Sequence, residues 1–172
     1  MNVDLVPIGE IDPGVLQELK DGLKATFGCP VQIGDPIPIP DQAFDPVRNQ
    51  YLSDALIDRL RQLENKSANL LGVTEVSIFT HGLNFVFGQA DVNGRVALIS
   101  LNQLRGENYG LPDDKSILVE RALKEAVHEL GHTMGLGHCR DGNCVMHFSN
   151  SLIDTDIKSC YFCSRCQPKL IV

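Results

Sequence analysis

The chain is poor in basic residues, in long apolar runs and in repetition, and each shortage removes a class of function. The 15 Lys and Arg against 22 Asp and Glu leave a formal net charge of -7, and the cations are dispersed along the sequence. Binding a phosphate backbone needs clustered Lys and Arg, so no nucleic-acid partner is expected. No apolar stretch approaches the roughly 20 residues that span a bilayer, and no membrane partner is expected either. The amino terminus lacks a charged segment followed by an apolar run and a small-residue cleavage site; the expectation is a cytoplasmic protein with reduced thiols. There are no internal repeats and no low-complexity tracts. What is present is 172 residues, 43% hydrophobic and 22% charged. That is the composition of one soluble globular domain, residues 1–172, with a real core and monomer as the default state.

Periodicity divides the chain into strands and helices. Residues 3–8 suit a buried strand. Asp12 and Pro13 then open a helix with Val15, Leu16, Leu19 and Leu23 on one face and Gly28 as its stop. Val31 and Ile33 alternate in a short strand, and Pro36, Pro38 and Pro40 make residues 35–44 an extended surface loop. Asp45 and Pro46 repeat the helix-opening signal ahead of a stripe of Leu52, Ala55, Leu56, Leu60 and Leu63. Residues 73–79 read as a third strand. Residues 85–92 and 95–101 read as two more, joined across Asn93 and Gly94 in a tight hairpin. After Leu111, Pro112 and Asp113, an amphipathic helix carries Leu118, Ala122, Leu123, Ala126, Val127 and Leu130. A short helix falls within residues 149–158. This order predicts an α/β fold with a mixed sheet, parallel where helices cross over and antiparallel at the edge.

The chemistry concentrates in eleven residues, His128-Glu129-Leu130-Gly131-His132-Thr133-Met134-Gly135-Leu136-Gly137-His138. His128 and His132 are one helical turn apart and face the same way, close enough to clasp one ion. Glu129 lies one position along, where its carboxylate reaches a water without ligating the metal, and is the candidate general base. His138 is too far along for a continuous helix to return it to the same ion. Gly135 is the residue type that takes the left-handed conformation ending a helix, after which His138 can swing under the metal. Three protein ligands leave a position open, as catalytic zinc requires. The bland reading is a pair of histidines solvating a helix face.

Five of the six cysteines lie between positions 139 and 166, clustering that suits a tetrathiolate metal site. Spacing alone allows Cys160 with Cys163, or Cys163 with Cys166, as the downstream pair. A disulfide framework is the alternative. Cys29, far away, reads as a small buried hydrophobe.

The extended histidine motif followed by Met146 resembles the signature of the metzincin metallopeptidases. Cys139 directly after the third histidine, then Cys144, Val145, Met146 and the Cys163 to Cys166 pair, is similar to the archaemetzincins within that clan. The stretches 84–90, 95–101 and 148–151 extend the resemblance. It implies a metzincin-like mixed twisted sheet with an antiparallel edge strand, an active-site helix and a small zinc-stabilised carboxy-terminal subdomain. The division falls at residues 1–137 and 138–172. It also implies two zinc ions per chain: a catalytic one on His128, His132 and His138, and a structural one on Cys139, Cys144, Cys163 and Cys166, leaving Cys160 a bystander. Met146 is then a hydrophobic floor beneath the imidazoles, and one strand of the hairpin pairs with an extended peptide or protein substrate. Some metzincins carry a tyrosine two residues after the turn methionine; this chain has Phe148. His147 reads as a surface or supporting histidine, and His81 has no assigned role. The activity implied is zinc-dependent peptide hydrolysis. The alternatives are a catalytically inactive, zinc-stabilised module that binds peptides and a zinc hydrolase acting on another bond.

Overall fold

Alternation along the first strand decides the architecture. In Val3–Ile8 (β1), Val3 and Leu5 face one side of a sheet and Val6 and Ile8 the other, and all four are buried. A strand buried on both faces needs a layer over each. The helices Pro13–Phe27 (α1), Ser53–Arg61 (α2) and Lys115–Thr133 (α3) supply them. Residues of α1 and α3 join Val3, Leu5, Leu71, Val73, Ala97 and Ile99 in the larger core. On the opposite face Leu56, Ile57 and Leu60 of α2 meet Val6, Ile8, Leu70, Val96 and Leu98. The computed structural model that carries these features describes residues 1–63 and 68–170.

The main sheet contains β1, Val31–Ile33 (β2), Asn69–Thr74 (β5), Gly88–Ala90 (β7) and Val96–Ser100 (β8), in the order β2-β1-β5-β8-β7. Between β2 and β5 the chain forms Phe44–Asp45 (β3) and Gln50–Leu52 (β4), which join Ile78–Phe79 (β6) in a second, three-stranded sheet. Four strands of the main sheet are parallel and β7 is antiparallel to β8 at one edge. The expected mixed sheet with an antiparallel edge is therefore found. The first helix also follows its sequence signals: Asp12 Oδ1 accepts from the amides of Gly14 and Val15, and Gly28 ends the helix at φ 62°.

Three local expectations are corrected. Asp45 and Pro46 open a turn, not a helix: Asp45 Oδ1 accepts from the amides of Val47 and Arg48, and Asn49 takes a φ of 54° on the way into β4. A capping aspartate followed by proline satisfies a turn as well as a helix start, and α2 begins only at Ser53. Residues 73–79 are not one strand. β5 ends at Thr74, Ser100 Oγ donates to the Val76 carbonyl, and β6 belongs to the second sheet. The hairpin exists, but neither Asn93 nor Gly94 takes the positive φ of a two-residue turn. Asp91 governs that turn, accepting from the Asn93 amide through its side chain and from Gly94 through its carbonyl.

Beyond α3 the only α-helix among the described residues is Leu152–Ile157 (α4), started by a capping box between Ser151 and Asp154. It is anchored to α3 by charge. Arg121 grips Asp156 with two nitrogens at 2.7 and 2.8 Å, and Lys124 Nζ donates to the Asp156 carbonyl. Lys158, wholly buried, lies 3.0 Å from Glu125 Oε1. Removing one member of such a pair leaves the other charge without compensation. Lys158→Met is expected to cost about 3 to 5 kcal/mol of stability, read as a fall in the urea midpoint; an unchanged midpoint would show that Glu125 is solvated after all.

Candidate metal centre

The apolar face of α3 decides where its polar residues go. Leu118, Ala122, Ala126, Val127 and Leu130 are locked into the core, and this turns Glu125, His128, Glu129 and His132 toward a cleft. The helix then stops in a Schellman motif. Gly135 adopts φ 87°, its amide bonds to the His132 carbonyl, and the Leu136 amide reaches back to Gly131. Buried Leu136 secures the turn. The reversal brings His138 to the other two rings, with centroids 5.3 Å from His128 and 4.8 Å from His132. Phe148 packs against the His138 ring at 4.9 Å.

Two backbone carbonyls set the imidazole tautomers. His128 Nδ1 lies 2.7 Å from the Val145 carbonyl and His132 Nδ1 lies 2.7 Å from the Leu136 carbonyl. A carbonyl only accepts, so each Nδ1 carries the proton. Both Nε2 atoms then present lone pairs, 3.1 Å apart, with no hydrogen between them. Burial lowers the pKa of all three histidines, most of all His128, where the Lys158 charge adds to the effect. Three neutral imidazoles whose donor atoms lie within 4.8 Å of one another fit a cation, which would relieve the facing lone pairs.

Met146 lies fully buried against α3. A methyl group at Gly131 would fall 2.5 Å from its sulfur. The glycine between the first two histidines is therefore the gap through which the methionine approaches the helix. A second glycine makes room for Glu129: a methyl at Gly88 would meet Glu129 Cγ and the Leu98 carbonyl, each at 2.7 Å. Glu129 thus sits hard against edge strand β7. Its pKa is raised well above the usual carboxylate value by burial and then by Glu125, while Lys158 opposes the shift.

The sulfurs of Cys139, Cys144, Cys163 and Cys166 also lie within 4.8 Å of one another. Cys139 and Cys163 are 3.8 Å apart, the sulfur separation of a tetrahedron with metal–sulfur bonds of about 2.3 Å. All the cysteines are free, so the disulfide alternative is not realised. The amide of Arg165, aided by that of Cys166, holds the Cys163 thiol down to about 6, whereas burial and its sulfur neighbours push Cys166 up. Four thiolates gathered this closely would concentrate like charge, which a bound cation would compensate. Cys160 stands outside both groups, and Cys29 is buried in the core. His147 Nδ1 lies 3.0 Å from the Cys139 carbonyl, a support for the methionine turn. His81 is exposed, its ring edge-on to Phe79.

Sequence reasoning did not single out Gly131, Gly88, Glu125 or Lys158. Gly131 carried a signal, since glycine inside a helix costs about 1 kcal/mol against alanine and asks for a packing reason. Gly131→Ala is expected to destabilise the protein by about 1 to 2 kcal/mol despite the better helix former, because overpacking outweighs propensity. Thermal unfolding checks this; shortening the partner in Gly131→Ala/Met146→Ala should return part of the space, and no clash operates if Gly131→Ala is the more stable form.

Comparison with known proteins bears on the whole chain. The family model described as peptidase family M54 matches residues 36–171. The archaemetzincin of Pyrococcus furiosus is 48% identical over 96% of this chain and 90% of its own length, and that of Methanocaldococcus jannaschii is 45% identical over 99% and 93%. Among solved structures, the archaemetzincin of Methanopyrus kandleri superposes with a TM-score of 0.87 at 40% identity, covering 98% of this chain and 92% of that one. The Archaeoglobus fulgidus archaemetzincin, complexed with malonate, gives 0.86 at 34% identity over 99% and 100%. With a family match across most of its length and close relatives across nearly all of it, the chain belongs to peptidase family M54, the archaemetzincins, and is a zinc metallopeptidase.

Proposed function

We propose that His128, His132 and His138 hold the catalytic zinc and that Glu129 is the general base of peptide-bond hydrolysis. One observation carries the reading: two buried Nε2 lone pairs facing each other at 3.1 Å, each ring fixed from behind by a carbonyl. When bound, zinc supplies Lewis-acid polarisation of a carbonyl and lowers the pKa of a water. Glu129 takes a proton from the attacking water and returns it to the departing nitrogen, so that the amine leaves neutral. Its raised proton affinity suits both halves of that transfer. Among the described residues β7 ends the main sheet with one edge unpaired by any other strand, and an extended peptide adding there would lie beside Glu129. With Phe148 where a tyrosine helper could stand, the reading assigns no side-chain hydroxyl to the oxyanion.

We further assign a second, structural zinc to Cys139, Cys144, Cys163 and Cys166, holding residues 138–172 as a small subdomain. Metal analysis of protein purified with zinc should give two ions per chain, falling to one in Cys163→Ser/Cys166→Ser with a lower melting temperature. A single ion in the wild type would remove one of the two assignments.

Glu129→Gln is expected to keep both zincs and lose about a hundredfold to ten-thousandfold in kcat, measured on a random peptide library with and without chelator. Undiminished turnover would dismiss Glu129 as the base. A zinc-replete wild type that cuts no peptide would favour the non-cleaving module.

A further inference from the structure

Beside the histidines lies a cavity of about 220 Å3 with apolar walls, among them Leu83, Val86 and Phe148, and two carboxylates, Glu125 and Glu129, contributed by α3. The reaction accounts for Glu129. It does not account for Glu125.

The Glu125 side chain is 4% exposed and its Oε1 is paired with Lys158, whose Nζ lies 3.0 Å away. The Thr155 hydroxyl donates to the same oxygen at 2.9 Å and the Ser149 hydroxyl at 3.5 Å. Among the described residues each donor to Glu125 falls on Oε1. Among the described residues no fully buried side-chain oxygen lacks a hydrogen-bond partner, so Oε2, which takes no hydrogen bond from them, keeps some exposure, and Glu125 lines the cavity. The result is an acceptor held rigidly from behind, facing the cleft with an unused lone pair. A ligand that reaches it with a donor completes the carboxylate's hydrogen bonding; one that ends in methyl leaves it desolvated. One that ends in a second carboxylate meets like charge at short range.

We propose that this cavity receives the substrate side chain flanking the scissile bond, and that Glu125 Oε2 selects a side chain with an apolar stem and a terminal hydrogen-bond donor, glutamine or lysine, and rejects acidic residues. Lys158 and Ser149 are the positioning residues that hold the carboxylate for this task. The proposal rests on the peptidase reading above, since it takes the histidine cluster as the place where the bond is cut.

Binding tests it apart from turnover. Zinc-chelating dipeptide hydroxamates that differ only in the side chain beside the hydroxamate, glutamine, lysine, methionine or glutamate, are titrated calorimetrically into the zinc-loaded protein. Glutamine and lysine are expected to bind about tenfold tighter than methionine, with glutamate weakest. Equal affinity for glutamine and methionine, or a preference for glutamate, overturns the assignment. Glu125→Gln/Lys158→Met removes both charges at nearly constant volume and should erase the penalty on glutamate; a folded double variant with the wild-type order also overturns it. If that variant melts before it can be titrated, the wild-type series still decides. The same four residues are then set on either side of the scissile bond in peptide substrates. A binding order without cleavage sinks the peptidase reading and leaves the cavity's selectivity standing; cleavage without a binding order does the reverse.

Discussion

Lone pairs that face each other across 3.1 Å in a buried site repel, and the fold holds them there only because each ring is gripped at its far nitrogen. The two grips come from different places. Leu136 offers its carbonyl from the turn that ends α3, and Val145 offers its own from the methionine turn. Both are backbone groups, so the orientation of the rings does not depend on the identity of those side chains. This arrangement costs electrostatic energy, which a cation held between the rings would offset. The helix stop is thus more than a stop: the residue it buries as its hydrophobic lock also supplies the acceptor for His132.

Helix α3 serves three neighbours at once. Its apolar face closes the larger core, its middle carries Arg121, Lys124 and Glu125 to the α4 segment, and its carboxy-terminal end carries His128 and His132. A rigid element shared in this way fixes the relative positions of groups that loops would leave loose. Two glycines complete the fit by what they lack. Gly131 admits the Met146 sulfur and Gly88 admits Glu129, each where a single methyl would collide.

Much of this was legible in the sequence because it rests on local rules. One-turn spacing of His128 and His132 and a left-handed glycine at 135 act within a few residues, and the cysteines after His138 stand out by their clustering along the chain. The strands β1, β2 and β8 and the helices followed from periodicity and capping for the same reason. What escaped was set by tertiary context. Asp45 caps a turn because β4 claims the residues after it, and the 73–79 run is broken because its two ends pair in different sheets. Glu125 and Lys158 are 33 positions apart, and nothing local marks either as a member of a buried pair. Asn93 and Gly94 look like a two-residue hairpin until Asp91 captures the amides.

His138 and Cys139 are consecutive, yet one belongs to the imidazole group and the other to the thiol group. A single rigid peptide unit, with Cα atoms about 3.8 Å apart, is all that separates them. The peptide unit itself is planar and rigid, so only the torsions of the two residues that flank it separate the sulfur from the ring. The two clusters are therefore joined through one stretch of backbone, and a shift of the Cys139 backbone reaches the His138 ring across that single unit.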